Sequence, residues 1–199
     1  MNIITGKTGV PHVSSQQDAD ANAALYGDGD YVLDTGSRFK YTVVSNNLIT
    51  LLDGLVMMQG RKGITDYGQT ESIIIENGTQ GQTRNDLIVA RYMKDGTTQL
   101  EDMRVLLIKG VNGAGDPKIS DAANIREGAN IHDMALYRVR LDGIAIAGVD
   151  TLFRRLLLKN TVTRTSITVA AWNADKIATI TDGNILSVDD LVYVAYDDT

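Results

Sequence analysis

IIIENGTQGQTRNDLIVARYM, residues Ile73 to Met93, decides the fold. Two apolar runs, Ile73–Ile75 and Leu87–Ala90, flank a polar, turn-rich segment. Each run is too short for a helix and is bounded by turn residues, so both read as strands. Leu87–Ala90 shows no polar alternation, which predicts a central strand covered on both faces. Arg84 and Asp86 stand just before it, two apart, and on a strand they share one face. They read as an ion pair at the mouth of the strand or as a binding contact. An exposed pair would contribute only ~0–1 kcal/mol and mainly set geometry.

Short strands recur on both sides of this stretch. Upstream, Tyr31–Leu33, Lys40–Val44, Leu48–Leu52 and Leu55–Gln59 are candidates. Ser45-Asn46-Asn47 serves as a hairpin turn and Asp53-Gly54 as a second turn. Downstream, Asp95-Gly96 leads into Met103–Lys109, which predicts a hairpin with a long connection. Val105–Ile108 lacks alternation, as Leu87–Ala90 does, and is expected to be central too. Tyr137–Asp142 alternates: Tyr137, Val139 and Leu141 face a core, and Arg138 and Arg140 face solvent or a partner. One helix is expected over 15–26. Ser15 with an acid three residues on, Asp18, begins it, and Gly27 stops it. Residues 111–133 form a long polar excursion with one helical turn near Ser120–Arg126, and such loops often serve function or subunit contact. From Thr161 onward the composition shifts to Thr, Val, Ala and Asp, with strands expected at Ser166–Val169, Lys176–Thr181 and Leu191–Tyr196.

The chain has 199 residues, 43% hydrophobic, with 19 glycines, two prolines and no cysteine. That supports a sizeable core with many tight turns and excludes disulfides and Cys-based zinc sites. A net charge of −6 and a pI near 4.8 argue against a nucleic-acid partner, which would need clustered Lys and Arg. No apolar run approaches a membrane span, and MNIITGKTGV does not read as a secretory signal. The expectation is synthesis in a cytoplasm without membrane insertion.

Candidate chemistry is sparse. His12 and His132, the only histidines, lack metal-ligand spacing and read as surface or loop residues. Asp28-Gly29-Asp30 has too few spaced oxygens for a calcium loop, and the pairs Asp189-Asp190 and Asp197-Asp198 add none; turn chemistry explains Asp28–Asp30. Glu71, Glu76, Glu101 and Asp102 could supply a glycosidase pair, but no motif ranks any two, and solvated positions are the simpler reading. No phosphate loop or serine-nucleophile motif occurs. Trp172, Tyr193 and Tyr196 are the aromatics a glycan-binding face would use; the other reading is core. No catalytic residue, cofactor or metal is expected.

Several of these segments together carry a resemblance. TRNDLIVARYMKDG resembles the R-x-D-L-hydrophobic-V-x-R strand of phage tail and baseplate proteins. MNIITGKTGVPHVSSQQDADANAALYGDGDYVL resembles the start of tail-tip or baseplate proteins from phages and prophages of Gram-positive bacteria. LITLLDGLVMMQGRKGI is similar to their DG-hydrophobic hairpin. Leu107–Gly110 resembles the end of the next strand. Ala135–Val139 resembles the PLY-R-V strand that closes the receptor-binding-protein-like module, with Ala135 in place of proline. The likeness spans roughly residues 1 to 153. The segment from Thr163 resembles a small β module of phage structural proteins, in which an apolar-Thr strand leads to a Trp, as Ile167–Trp172 does here. That module usually runs longer, so this one is either a fragment or an edge that another subunit finishes.

The expected fold is mainly β: an antiparallel sandwich or barrel-like domain with one short N-terminal helix over residues 1–158, then a small β appendage over 159–199. The resemblance implies a non-enzymatic virion component of the tail or baseplate. It implies a homo-oligomer, with a trimer favoured, that contacts other tail proteins. Two other classes stay open: a module that binds host surface polysaccharide, and a cell-wall hydrolase.

Overall fold

The computed structural model describes residues 13–156. The chain divides into two compact units, Met1–Leu158 and Lys159–Thr199. The expected appendage strands, His12, Trp172, Tyr193, Tyr196 and the acidic pairs at 189–190 and 197–198 lie outside the described residues.

Among the described residues one helix, α1 (Ser15–Tyr26), precedes nine strands: β1 (Asp30–Leu33), β2 (Tyr41–Ser45), β3 (Leu48–Met58), β4 (Arg61–Ile74), β5 (Thr83–Lys94), β6 (Glu101–Ile108), β7 (Ile131–Asp142), β8 (Ala145–Thr151) and β9 (Arg155–Leu156). The helix is capped one residue earlier than its sequence suggests. Ser14 accepts from the Gln17 N–H, and the Gln17 side chain accepts from the Ser14 N–H, a reciprocal box that satisfies two orphan donors. Gly27 ends the helix at φ 86, with its N–H on the Ala23 carbonyl.

Two sheets enclose one core. The first is built on β3: β4 runs along one side of it, while β2 and β1 share the other side end to end, and β9 joins β1 in parallel. The second has the order β6-β5-β7-β8 and is antiparallel throughout. Val32, Ile49, Leu51, Val56, Met58 and Ile73 from the first sheet pack in one cluster with Ile88, Ala90, Tyr92, Met134, Leu136, Val139 and Leu141 from the second. This is an open sandwich, so the barrel-like alternative falls away.

β3 and β7 each carry a bulge, and the bulge preserves the core. Along β3 the core-facing residues are Ile49 and Leu51, then Val56 and Met58. Side chains alternate strictly on a strand, so odd numbers can give way to even ones only if a residue is inserted. The register shift lies between Leu52 and Gly54. β7 does the same: Met134 and Leu136 give way to Val139 and Leu141, across a register shift opposite Ile88/Val89 of β5. Asp53-Gly54 is therefore a bulge inside a continuous strand, not the expected turn. Asp53 is buried and accepts from the Ser37 N–H at 3.1 Å and the Ser37 hydroxyl at 2.7 Å. A Cβ on Gly54 would overlap the Phe39 ring.

The true turn lies at Gln59-Gly60, with φ of 48 and 85, the paired left-handed backbone of a type I′ hairpin. Gln59 is held in that uncommon state by its own side chain, which donates to the Ala123 carbonyl and accepts from the Ile125 N–H. Gly60 is required twice over, because a Cβ there would also collide with the Ala19 carbonyl of α1.

Three other expectations need correction. β4 extends back to Arg61, far beyond Ile73–Ile75, and β8 was not anticipated, because both are edge elements with little apolar alternation. β6 is an edge strand, so Val105–Ile108 is half-buried rather than covered on both sides. The excursion between β6 and β7 is made of turns and bends, without the helical turn expected at Ser120–Arg126. Among the described residues no helix is long and apolar enough to cross a membrane.

Candidate functional site

Arg84 and Asp86 project from β5 onto the core side, beside their register partners Leu141 and Val139. Both are buried, at 4% and 0% exposure. Their contact is bidentate: Arg84 Nε donates to Asp86 Oδ1 at 2.8 Å and Nη2 to Oδ2 at 2.9 Å. The Gly110 N–H donates to Asp86 Oδ1 at 2.8 Å, while Arg84 Nη2 and Nη1 reach the carbonyls of Glu76 and Asn77 at 2.6 and 3.4 Å. The pair thus clamps two connections onto β5, the one leaving β4 and the one leaving β6. The sequence spacing placed the two groups on one face, but the pair is not the exposed one expected at a strand mouth. Gly110 comes so close to β5 that a Cβ would meet the Asn85 carbonyl.

A second clamp works on the opposite face of the same sheet. Asp133 of β7, fully buried, takes Arg91 Nε at 2.6 Å and Nη2 at 2.9 Å, and these two residues are register partners across β5 and β7. The Ser120 N–H donates to Asp133 Oδ2 at 2.9 Å, and the Asp133 N–H donates back to the Ser120 carbonyl at 3.1 Å. Burial alone would raise the Asp133 pKa, but Arg91 and the Ser120 amide hold it below the ordinary carboxylate value. Further along, Asp116 accepts from Arg138 and Asn85, which lowers its pKa, and Asp150 takes Arg140 at 3.0 Å. The excursion after β6 is therefore pinned across this face, and Ile125 from its far end enters the core.

The histidine of this region is not a surface residue. His132 is 1% exposed, and its Nε2 lies 2.7 Å from Asp30 Oδ2, linking β7 to β1 and so one sheet to the other. Burial disfavours the imidazolium, but the Asp30 carboxylate, together with the Ala123 backbone and the Asp133 charge, offsets this, and the pKa of His132 is raised. Its register partner Tyr92 donates its hydroxyl to Glu101 at 2.7 Å, and burial together with that carboxylate pushes the phenol up to about 12. Nearby, a recess of about 520 Å³ is lined by Asp28, Gln59, Ala122, Ala123, Asn124, Arg126 and Glu127, with both signs of charge in its wall.

The remaining sequence candidates have separate partners. Glu71 accepts from the Thr65 hydroxyl at 3.0 Å, Glu76 pairs with Lys109, Glu101 with Arg61 at 3.0 Å, and Asp102 with Arg104 at 2.6 Å. Glu101 and Asp102 are adjacent on a strand and point to opposite faces. The structure brings none of these four acids together as a catalytic pair. Asp28 lines the recess, whereas Asp30 is engaged by His132. Among the described residues no group of three or more His, Cys, Asp or Glu side chains is placed to hold a metal. Sequence reasoning missed Arg91 and Asp133; the available signal was one acid, Asp133, between the apolar Ile131 and Ala135 on the same side of the strand. Comparison with family models and with curated proteins yields no match for this chain.

Two expectations follow. Asp86→Ala leaves a buried guanidinium unpaired and should lower unfolding stability by about 3–5 kcal/mol. In urea unfolding, the Arg84→Met change should cost much less when combined with Asp86→Ala than alone, and simple additivity would contradict the clamp. The second concerns pH. Because the His132 pKa is raised on folding, its stabilisation is complete below the unfolded value of about 6.5 and is lost as pH rises through the folded value. The carboxylates held low titrate well beneath that window. The urea midpoint should therefore fall as pH is raised from 6, and this slope should vanish in His132→Gln; an equal slope in both chains would contradict the assignment.

Proposed function

We propose that this chain is a non-enzymatic structural component of a bacteriophage or prophage tail or baseplate, working as a homo-oligomer within the host-attachment apparatus. The family resemblance supplies the virion and the threefold preference. The observation that carries the structural role is how the paired charges on the two faces of the second sheet are used. Arg84, Asp86, Arg91 and Asp133 spend their hydrogen bonds on tying connections at residues 76–77, 110 and 120 to the sheet. A catalytic carboxylate would instead be held near a cleft with a pKa moved toward its working pH; that of Asp133 is moved away from it. A sandwich whose loops are fixed by buried salt links is a rigid carrier, which suits a particle that must hold its shape outside a cell.

An antibody raised against the purified chain should label the tail end of phage particles released from the source bacterium, as seen by immunogold electron microscopy. Purified particles that lack the chain, by labelling and by mass spectrometry, would contradict the proposal.

A further inference from the structure

We infer that β6 is an interface strand that pairs antiparallel with β6 of a second copy of this chain, about a two-fold axis at Val105. Four observations carry it. The first is a mismatch between composition and place. Val105-Leu106-Leu107-Ile108 is apolar on both faces, the pattern of an interior strand of a covered sheet. Yet β6 borders only β5 and is the outer strand of its sheet. Outer strands normally carry charge, proline or a bulge along such a run to prevent pairing with another chain.

The second observation is accessibility. Met103, Val105 and Leu107 face the core, while Leu106 and Ile108 point to the outer face, and all five are only half-buried. Leu100 and Val111, beyond the two ends of the strand, are 71% and 70% exposed. The third is the backbone. The Met103 N–H donates to the neighbouring Asp102 carboxylate at 2.8 Å, a local stand-in for a strand partner.

The fourth observation is charge, and it selects a second copy. The segment runs Glu101, Asp102, Met103, Arg104, Val105, Leu106, Leu107, Ile108, Lys109. Laid antiparallel on itself about Val105, it sets Glu101 opposite Lys109 at both ends, Met103 opposite Leu107, and Val105 opposite its own copy. On the core-side face the acidic end of each strand thus meets the basic end of the other and the apolar positions coincide, while on the outer face Arg104 lies opposite Leu106 and Asp102 opposite Ile108. Glu101 already takes Arg61 at 3.0 Å and Lys109 already pairs with Glu76 within each chain, so the opposed charges add to these contacts, whereas a parallel arrangement would oppose like charges. Arg104 would lie diagonal to its copy, but each keeps its own Asp102 at 2.6 Å. The result is one continuous sheet across two chains. A two-fold contact is compatible with threefold order only in a dihedral six-chain assembly. The inference is independent of the virion assignment, since particle labelling and self-association are measured separately.

The test is the mass of the full chain by light scattering at micromolar concentration. An even number of chains, two or six, is expected. Leu106→Lys, which places a charge on the joined face, should halve that number with the far-ultraviolet circular dichroism unchanged. Because the chain has no cysteine, Arg104→Cys is a clean second reporter, and a short bismaleimide should link it into a dimer. One or three chains, an unchanged mass in a folded Leu106→Lys chain, or no crosslink through Arg104→Cys would each overturn the inference.

Discussion

Asp86 is a carboxylate without solvent contact, next to Ile88 on the core side of the central strand of its sheet. Burying a charge in such a place costs several kcal/mol unless its lone pairs find donors. They do: two come from the Arg84 guanidinium and one from the Gly110 amide. Arg84 in turn needs acceptors beyond Asp86 and finds them on the carbonyls of residues 76 and 77. The pair can exist only if both connections lie where they do, so the chain paths leaving β4 and β6 are fixed by the needs of two buried ions. The same logic repeats across the sheet, where Asp133 is satisfied only with Arg91 and the Ser120 amide in place.

The two bulges serve an equivalent purpose for the apolar part. A strand as long as β3 or β7 twists, and one inserted residue re-aims the rest of it while returning the hydrophobic side chains to the core. At β3 the insertion also places Asp53 against Ser37, which carries the link between β1 and β2 past the middle of the strand. Polar anchoring and apolar packing thus act on the same segments, and each holds the other in register.

How much of this was legible in the sequence follows from what each residue depends on. The helix, the β2–β3 turn and the alternation of Tyr137–Asp142 are local patterns, and they were readable. The central place of Leu87–Ala90 was readable too, but the same pattern at Val105–Ile108 belongs to an edge strand, so an apolar run alone does not fix a strand's place in its sheet. The turn at Gln59-Gly60 was hidden, since Gln adopts φ 48 only through its distant bonds to Ala123 and Ile125. Asp53-Gly54 misled for the complementary reason: the dipeptide suits a turn, and tertiary contacts made it a bulge. In the site, Arg84 and Asp86 could be paired by spacing, but their burial depends on connections arriving from residues 76 and 110. His132 and Asp30 are 102 positions apart, and nothing local announces such a partner.

The central claim is that buried ion pairs hold the connections as firmly as the strands themselves. Native-state amide hydrogen exchange at Gly110 tests it most directly. The account predicts that the Gly110 N–H, though outside any strand, exchanges as slowly as the amides of Ile88 and Val89, through global unfolding only. Exchange at the rate of the neighbouring Val111 and Asn112 amides would contradict it, because the connection would then open while the sheet stays intact.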